Sequence, residues 1–291
     1  METHIDLYQA LRDLIDKIPA GMVSTPLDLA RALGDVRASR AILEALQRGE
    51  LRDAAGRIVG DPSSGALVFR DFRTEGPLKR LAELQREMSK RVVSEDRLPS
   101  TERIAGVDAS YRGDTAYAAC VVMDSGLRVI ESASAAVGTR FPYIPGYLSF
   151  REAPAVEAAA NLVSGFDVLL VNGHGIAHPR GCGLASHVGL DLEVATIGVA
   201  KRRLVRKVGM MVEDGSSLRY RERVVGARLK EGGHAPIYVS VGHNISLKTS
   251  VDIIRKTMAG GRLPEPLRRA HQVADRLRLQ GNSCSSAQTK T

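Results

Sequence analysis

The chain has 291 residues, 44% of them hydrophobic, which suits one or two globular domains. No apolar run approaches the ~20 residues that a membrane helix needs. The N-terminus lacks a signal-peptide pattern, and the three cysteines have no metal-ligand spacing, so we expect a cytoplasmic protein. The net charge of +8 favours an anionic partner. Residues 1–75 hold ten Lys/Arg and twelve Asp/Glu, whereas the remainder holds 31 and 21, which places the expected anion-binding surface in the second part.

The first 75 residues have the element order of a winged helix-turn-helix. Apolar periodicity predicts helices over 5–18, 26–33 and 35–47. Thr25 is the expected N-cap of the second helix and Pro26 its first residue. Residues 57–60 and 66–69 are predicted to pair as a small hairpin. Three helices followed by a hairpin favour a small DNA-binding domain.

A boundary is expected at Gly76-Pro77, where a charged helix over 78–91 begins. Alternating runs at 103–111, 115–123 and 127–137 predict an antiparallel meander, and the apolar run 168–171 predicts a buried parallel strand. The other predicted elements are helices over 151–164, 247–258 and 265–279 and strands over 193–199, 223–229 and 236–241. We therefore predict an α/β protein with domains 1–75 and 76–280 and a disordered tail over 281–291.

The segment RFPYIPGYLSFRE at residues 140–152 holds four of the twelve aromatic residues. Its two prolines and Gly146 keep it out of regular structure. A stiff loop with flat side chains next to a carboxylate, Glu152, suits an enzyme that removes a base from a stack and cuts nearby. Taken alone, the segment is more typical of a loop whose aromatic side chains cap a core.

Several motifs in the second part resemble, in order, those of the endonuclease V family. They are AGVDASY (105–111), YIPGYLSFRE (143–152), VNGHGIAHPR (171–180), GLASH (183–187), IGVAK (197–201) and VSVGH (239–243). The resemblance covers nearly all of the chain from residue 78 onward. It implies a ribonuclease H-like fold, a mixed sheet flanked by helices. It also implies a magnesium-dependent DNA repair endonuclease, with manganese as a second cation, that cuts 3′ to deaminated purines such as deoxyinosine.

The resemblance implies that Asp108, Glu152 and residue 172 hold the metal. Carboxylate-held magnesium neutralises phosphate charge and activates water, and a carboxylate in the middle of a buried strand has no structural reason to be there. The family pattern has a carboxylate at position 172, but this chain has Asn172, whose amide oxygen is a weaker ligand. Asp167 lies roughly 16 Å away along a strand at ~3.3 Å per residue and cannot replace it. Weakened cutting, or lesion binding without cutting, are the outcomes left open.

The resemblance also implies the remaining site residues. His178, Lys201 and His243 are the expected catalytic side chains, Tyr143 is the wedge that enters the base stack beside Pro145 and Gly146, and Gly173, His174 and Gly175 form the lesion pocket. The crowding of His174, His178 and His187 could indicate zinc, but glycine-rich surroundings favour a phosphate and base pocket. A nuclease directed at inosine in RNA is a further alternative.

Residues 18–34 and 38–42 resemble the DNA-binding domain of alkylguanine-DNA alkyltransferase. Arg40 matches the arginine that fills the vacated base stack, and Pro26 stands where that family has a nucleotide-rotating tyrosine. Residues 1–75 contain no cysteine, which excludes alkyl transfer to sulfur. We expect a DNA-binding module or, alternatively, a domain with a packing role alone. DNA is the expected partner, and neither a membrane nor an obligate protein partner is implied.

Overall fold

The computed structural model describes residues 5–49, 51, 56–60, 65–204, 211–214, 216–220 and 222–280. The predicted tail, Cys284 and part of the basic run after Lys201 lie outside these residues. The chain divides into two compact units, Met1–Leu84 with Thr139–Arg151 and Gln85–Gly138 with Glu152–Thr291. The expected sequence boundary at Gly76-Pro77 remains a prediction, since these units are defined by packing.

The first unit begins with helices close to the predicted ones. Its described elements are α1 (Leu7–Asp16), β1 (Met22–Val23), α2 (Pro26–Leu33), a 3₁₀ helix (Val36–Ala38), α3 (Ser39–Gln47) and β2 (Leu67–Val68). The predicted N-cap is confirmed, because the Thr25 hydroxyl accepts a hydrogen bond from Asp28 N at 3.1 Å. Gly34 ends α2 with a φ of 98°, in the left-handed region that favours glycine.

The predicted hairpin between residues 57–60 and 66–69 is wrong within the part of the chain that the structure describes. β1 instead pairs in parallel with β2, and Ser24 forms a parallel bridge with Ile58. Residues 22–24 therefore lie between the two segments that were expected to pair. Three residues are too few to show the alternating pattern by which a strand is predicted.

The aromatic segment packs into the core of the first unit. Phe141, Ile144, Tyr147 and Phe150 are buried in one cluster with apolar side chains of α1, α2 and α3. Tyr143, by contrast, is 58% exposed. Core capping thus describes three of the four aromatic residues, and Tyr143 alone is available to a ligand.

A mixed sheet of nine strands forms the second unit in the residues that are described. The strands are β3 (Ile104–Arg112), β4 (Thr115–Met123), β5 (Val129–Gly138), β6 (Val168–Asn172), β7 (Thr196–Ala200), β8 (Met211–Asp214), β9 (Ser217–Tyr220), β10 (Arg223–Leu229) and β11 (Ile237–His243). Their order is β5-β4-β3-β6-β7-β11-β10-β9-β8. The predicted meander is confirmed, and so is the predicted parallel strand, since β6 pairs in parallel with β3 and β7. β8 and β9 were not predicted, because four-residue strands carry little periodicity.

Helices cover both faces of this sheet, which confirms the predicted α/β class. They are α4 (Pro77–Arg91), α5 (Leu148–Ala160), α6 (Leu184–Asp191), α7 (Leu247–Thr257) and α8 (Glu265–Gln280). α5 begins three residues before its predicted start, and α6 was missed because burial on all sides leaves it without an amphipathic period. Among the described helices, none has the length and apolarity to cross a membrane.

Helix α8 lies directly on β3 because residue 106 is a glycine. A Cβ on Gly106 would lie 2.3 Å from the carbonyl carbon of Pro266 and 2.6 Å from the nitrogen of Leu267. Side chains two positions apart on a strand share a face, so Asp108 points toward the same helix. The glycine thereby sets how closely α8 approaches Asp108.

We expect Tyr147→Ala to lower the free energy of unfolding of the first unit by about 3–5 kcal/mol, as for other aromatic truncations in cores. The Tyr147 ring is 1% exposed, so its removal leaves a cavity. Tyr143→Ala is the matched control and should change stability by about 0.5 kcal/mol or less, since its side chain already meets water. Urea unfolding followed by circular dichroism measures both, and equal losses would contradict this packing.

Candidate active site

Asp108 lies in the middle of β3, is 6% exposed, and is surrounded by hydrogen-bond donors. Its Oδ1 accepts from Asn172 Nδ2 at 2.8 Å and from Ala109 N at 2.9 Å. Its Oδ2 lies 2.7 Å from His271 Nδ1. A buried carboxylate is tolerated only with such partners, and three elements of the chain converge on this one.

The contact between Asp108 and Asn172 follows from strand register. β3 and β6 run parallel with Val107 opposite Val171, so the next residue of each strand faces the same side of the sheet. The sequence predicted that residues 108 and 172 share a site, and the structure brings their side chains into contact. Here the Asn172 amide acts as a donor to the carboxylate.

His271 on α8 is a site residue that the sequence analysis missed. The pKa of His271 is raised above its ordinary value, chiefly by the hydrogen bond with Asp108. Burial and the positive charge of Lys201 act in the opposite direction but are outweighed. A signal was available, because His271 shares a helix face with the buried residues Leu267 and Ala274 at spacings of four and three.

Lys201 follows β7 and is exposed, as expected for a side chain that meets phosphates. Its positive charge is one of the causes that lower the pKa of His271. The backbone of Lys201 is fixed by Arg262, whose Nη2 donates to its carbonyl oxygen at 2.7 Å.

Glu152 lies half-buried on α5. The neighbouring Ala153 and Val156 pack with Val107, on the face of β3 opposite to the one that carries Asp108. It is the fifth residue of α5, whereas the predicted helix over 151–164 makes it the second. The shared metal-binding role of Glu152 and Asp108 remains a prediction.

The glycine-rich loop after β6 is pressed against the sheet. A Cβ on Gly175 would lie 1.9 Å from the carbonyl oxygen of Val241, so only glycine fits there. Gly173 and His174 precede it, and the His174 ring is buried with Nε2 3.0 Å from the carbonyl oxygen of Arg202. Burial lowers the pKa of His174 to about 4, which keeps the ring neutral at neutral pH.

His178 is also buried, and its Nδ1 accepts from Arg180 N at 3.2 Å. It borders a cleft of about 1000 Å³ that is also lined by Ser89, Ile176, Tyr220 and other residues of the second unit. A cleft of this size, with polar and apolar walls, can accept a ligand as large as a nucleotide.

His243 ends β11 and lies against the chain before β3. Its Nδ1 accepts from Val93 N at 3.2 Å. Burial, followed by the charges of Arg91 and Arg97, lowers its pKa. His243 thus has a backbone partner, whereas the histidine that contacts Asp108 is His271. The catalytic role of His243 remains a prediction.

The predicted DNA-contacting residues of the first unit are accessible. Pro145 is exposed beside Tyr143, and Gly146 adopts a φ of 86° that permits the turn between them and the buried Tyr147. The Arg40 side chain on α3 is 88% exposed and forms an ion pair with Glu44 at 2.8 Å. Such an exposed pair contributes little stability and leaves the guanidinium available to phosphates.

Two groups of side chains could hold a cation. Asp108 and Asn172 offer a carboxylate and an amide oxygen, a mixed set that fits a divalent ion and suits manganese better than magnesium, while His271 contacts the Asp108 carboxylate. Glu157, His187 and Asp191 form a second cluster in which one ligand atom of each lies within 4.8 Å of the others. The sequence analysis singled out His187 but not its two carboxylate neighbours, which lie on different helices.

Comparison with known proteins gives the second part of the chain its relatives. Residues 86–272 match the sequence model of the family described as Endonuclease V. The Endonuclease V of Thermofilum pendens is 44% identical over 202 residues, which cover 68% of this chain and 87% of that relative. The crystal structure of the Endonuclease V from Streptomyces avermitilis is 33% identical with a TM-score of 0.64 and covers 70% of this chain and 95% of that one.

The Endonuclease V of Ciona intestinalis was solved in complex with a 24mer DNA containing an inosine followed by a ribo-adenosine. It is 25% identical to this chain with a TM-score of 0.65, and the match covers 72% of this chain and all of that one. These relatives span the nuclease-like part of the chain.

We expect the stability of the protein to fall as pH rises from about 4.5 to about 8, and Glu157→Gln to flatten this fall. Burial and the charge of Asp191 raise the pKa of Glu157 from 4.5 to about 8 in the folded state. Between these two pKa values the unfolded chain has lost this proton and the folded chain keeps it. Folding must therefore bind a proton, which becomes less favourable as pH rises. Melting temperatures across this pH range, measured with a chelator present, test the prediction, and parallel curves for the two proteins would refute it.

Proposed function

Because the chain belongs to the endonuclease V family, we propose that it is a metal-dependent DNA repair endonuclease that cuts 3′ to deaminated purines such as deoxyinosine. The observation that carries this proposal is the convergence of Asn172 and His271 on the buried carboxylate of Asp108. The inosine-containing DNA bound by the Ciona relative supports the substrate class.

The proposed role of each site residue follows from the chemistry of its side chain. Asp108, Glu152 and Asn172 would hold the cation, magnesium or manganese, which when bound neutralises the phosphate and activates water. His271 orients the Asp108 carboxylate through the 2.7 Å contact. The exposed ammonium group of Lys201 binds phosphate oxygens by charge.

Two loops, one in each unit, carry the residues to which the family resemblance gives lesion contacts: the aromatic loop (residues 140–152) and the glycine loop (residues 173–175). The exposed ring of Tyr143 stacks where the base leaves the duplex, with Pro145 and Gly146 shaping its turn. Gly173, His174 and Gly175 line the base pocket through their backbone, since the His174 ring is itself buried. His178, at the wall of the cleft, lies beside the strand that is cut.

A second candidate function, lesion binding without cutting, is favoured by one observation. The Asn172 amide donates to Asp108 Oδ1, so an oxygen that a cation needs is already used. Cleavage then requires the amide to turn and present its carbonyl oxygen instead. An inosine-directed ribonuclease activity remains a third candidate, which matched DNA and RNA substrates separate.

We also propose that the first unit is an alkyltransferase-like DNA-binding module of the winged helix-turn-helix type. The observed α2 and α3, with the exposed guanidinium of Arg40, support this assignment. The absence of cysteine from residues 1–75 restricts the module to binding.

We expect Asp108→Ala and Glu152→Ala each to lower cleavage of a deoxyinosine duplex at least about 1000-fold while binding changes little. Each carboxylate holds the cation and contacts little of the DNA. Single-turnover cleavage and gel-shift binding measure the two effects separately. Asp167→Ala serves as the control at a carboxylate outside the site. Cutting by either site variant at the wild-type rate would remove these residues from the site.

We expect Asn172→Asp to raise the cleavage rate and to lower the metal concentration that gives half-maximal cutting. The change adds a negative charge at nearly constant volume, next to the cation in a partly dry site where charges are least screened. Titrations with magnesium and manganese on both proteins provide the measurement. If the variant is no more active at any metal concentration, another group completes the site or the chain only binds lesions.

A further inference from the structure

The aromatic loop is anchored to the first unit through the hydroxyl of Tyr147. This oxygen lies 2.8 Å from Asp35 Oδ2 and 3.1 Å from the carbonyl oxygen of Leu78. The ring itself is 1% exposed, so the polar tip of a buried side chain reaches two fixed acceptors. A buried tyrosine hydroxyl that is satisfied in this way holds its backbone in one place.

Arg37 completes the anchor. Its Nε lies 2.9 Å from Asp35 Oδ1 and 3.0 Å from Asp35 Oδ2, and its guanidinium carbon lies 5.4 Å from the centre of the Tyr147 ring. The arginine therefore neutralises the carboxylate and contacts the aromatic ring at once. Asp35 and Arg37 belong to the turn that leads into α3, the helix expected to meet DNA.

Further contacts fix the loop before and after its exposed residue. Leu7 N donates to the carbonyl oxygen of Arg140 at 3.0 Å, and the buried guanidinium of Arg151 donates to the carbonyl oxygen of Phe141. Ile144, the next residue after Tyr143, is buried in the same core. Tyr143 thus projects from a backbone that is held on both sides.

We propose that Asp35 and Arg37 are positioning residues for the wedge, acting through Tyr147 to hold Tyr143 in the orientation that enters the base stack. This inference rests on the proposed function for the role of Tyr143. A loop that is ordered before DNA binds loses less conformational entropy on binding. The first unit therefore contributes to lesion discrimination even where it touches no base.

The absence of tryptophan from the chain allows a direct test. Tyr143→Trp places a single indole at the loop tip, and Asp35→Asn or Tyr147→Phe is then added in the full-length protein. We expect each addition to lower the fluorescence anisotropy of the indole and to raise its quenching by acrylamide about twofold. Asp71→Asn, the same change at an exposed carboxylate of the first unit, should alter neither quantity.

The second readout uses the protein with Tyr143 intact. Asp35→Asn and Tyr147→Phe should weaken the preference for inosine-containing over plain duplex by about tenfold, within the range of a lost base stack. The rate at saturating DNA should change less, since the cation site is untouched. Unchanged anisotropy in both variants, with melting temperatures showing that they are folded, overturns the proposal. A parent protein with no preference for inosine contradicts the proposed function instead, and the anisotropy still decides whether the loop is anchored.

Discussion

The approach of α8 to β3 at Gly106 is the constraint on which the site depends. The backbone of Pro266 occupies the space where any Cβ at position 106 would stand. Two residues further along β3, the short distance between helix and strand lets the ring of His271 reach the carboxylate of Asp108. A helix held farther away by a larger residue would leave that carboxylate buried with fewer partners, which is unfavourable. Gly106 has no reactive side chain, but its small size sets which side chains can contact Asp108.

The aromatic segment combines two functions that the sequence could not separate. Phe141, Tyr147 and Phe150 are core residues of the first unit, whereas Tyr143 is exposed. Burial of the three rings holds the loop in place and leaves the Tyr143 ring in contact with solvent. The core-cap interpretation therefore describes the three buried rings, and the base-wedge interpretation remains a prediction for Tyr143.

Short-range sequence patterns predicted those strands whose formation depends on neighbouring residues. The alternation of β3 and the apolar run of β6 gave both strands, whereas the meeting of Asp108 with residue 172 was implied by the family resemblance and is brought about by the parallel pairing of the two strands. His271 was missed because its partner lies 163 positions away, and no spacing rule relates a histidine on a charged helix to a distant strand. The packing of residues 139–151 into the first unit was missed for the same reason, since apolar residues identify a core but not which one they join.

The hydrogen bond from Asn172 to Asp108 has a consequence for the resting protein. Two carboxylates at this distance would repel each other until a cation arrived between them. An amide beside a carboxylate is instead a satisfied pair at every metal concentration. A cation that entered at Asp108 would therefore compete with an existing hydrogen bond. The Asp108 carboxylate is thus stabilised by neighbouring side chains of the chain itself, and Asn172 adds no charge that would repel it.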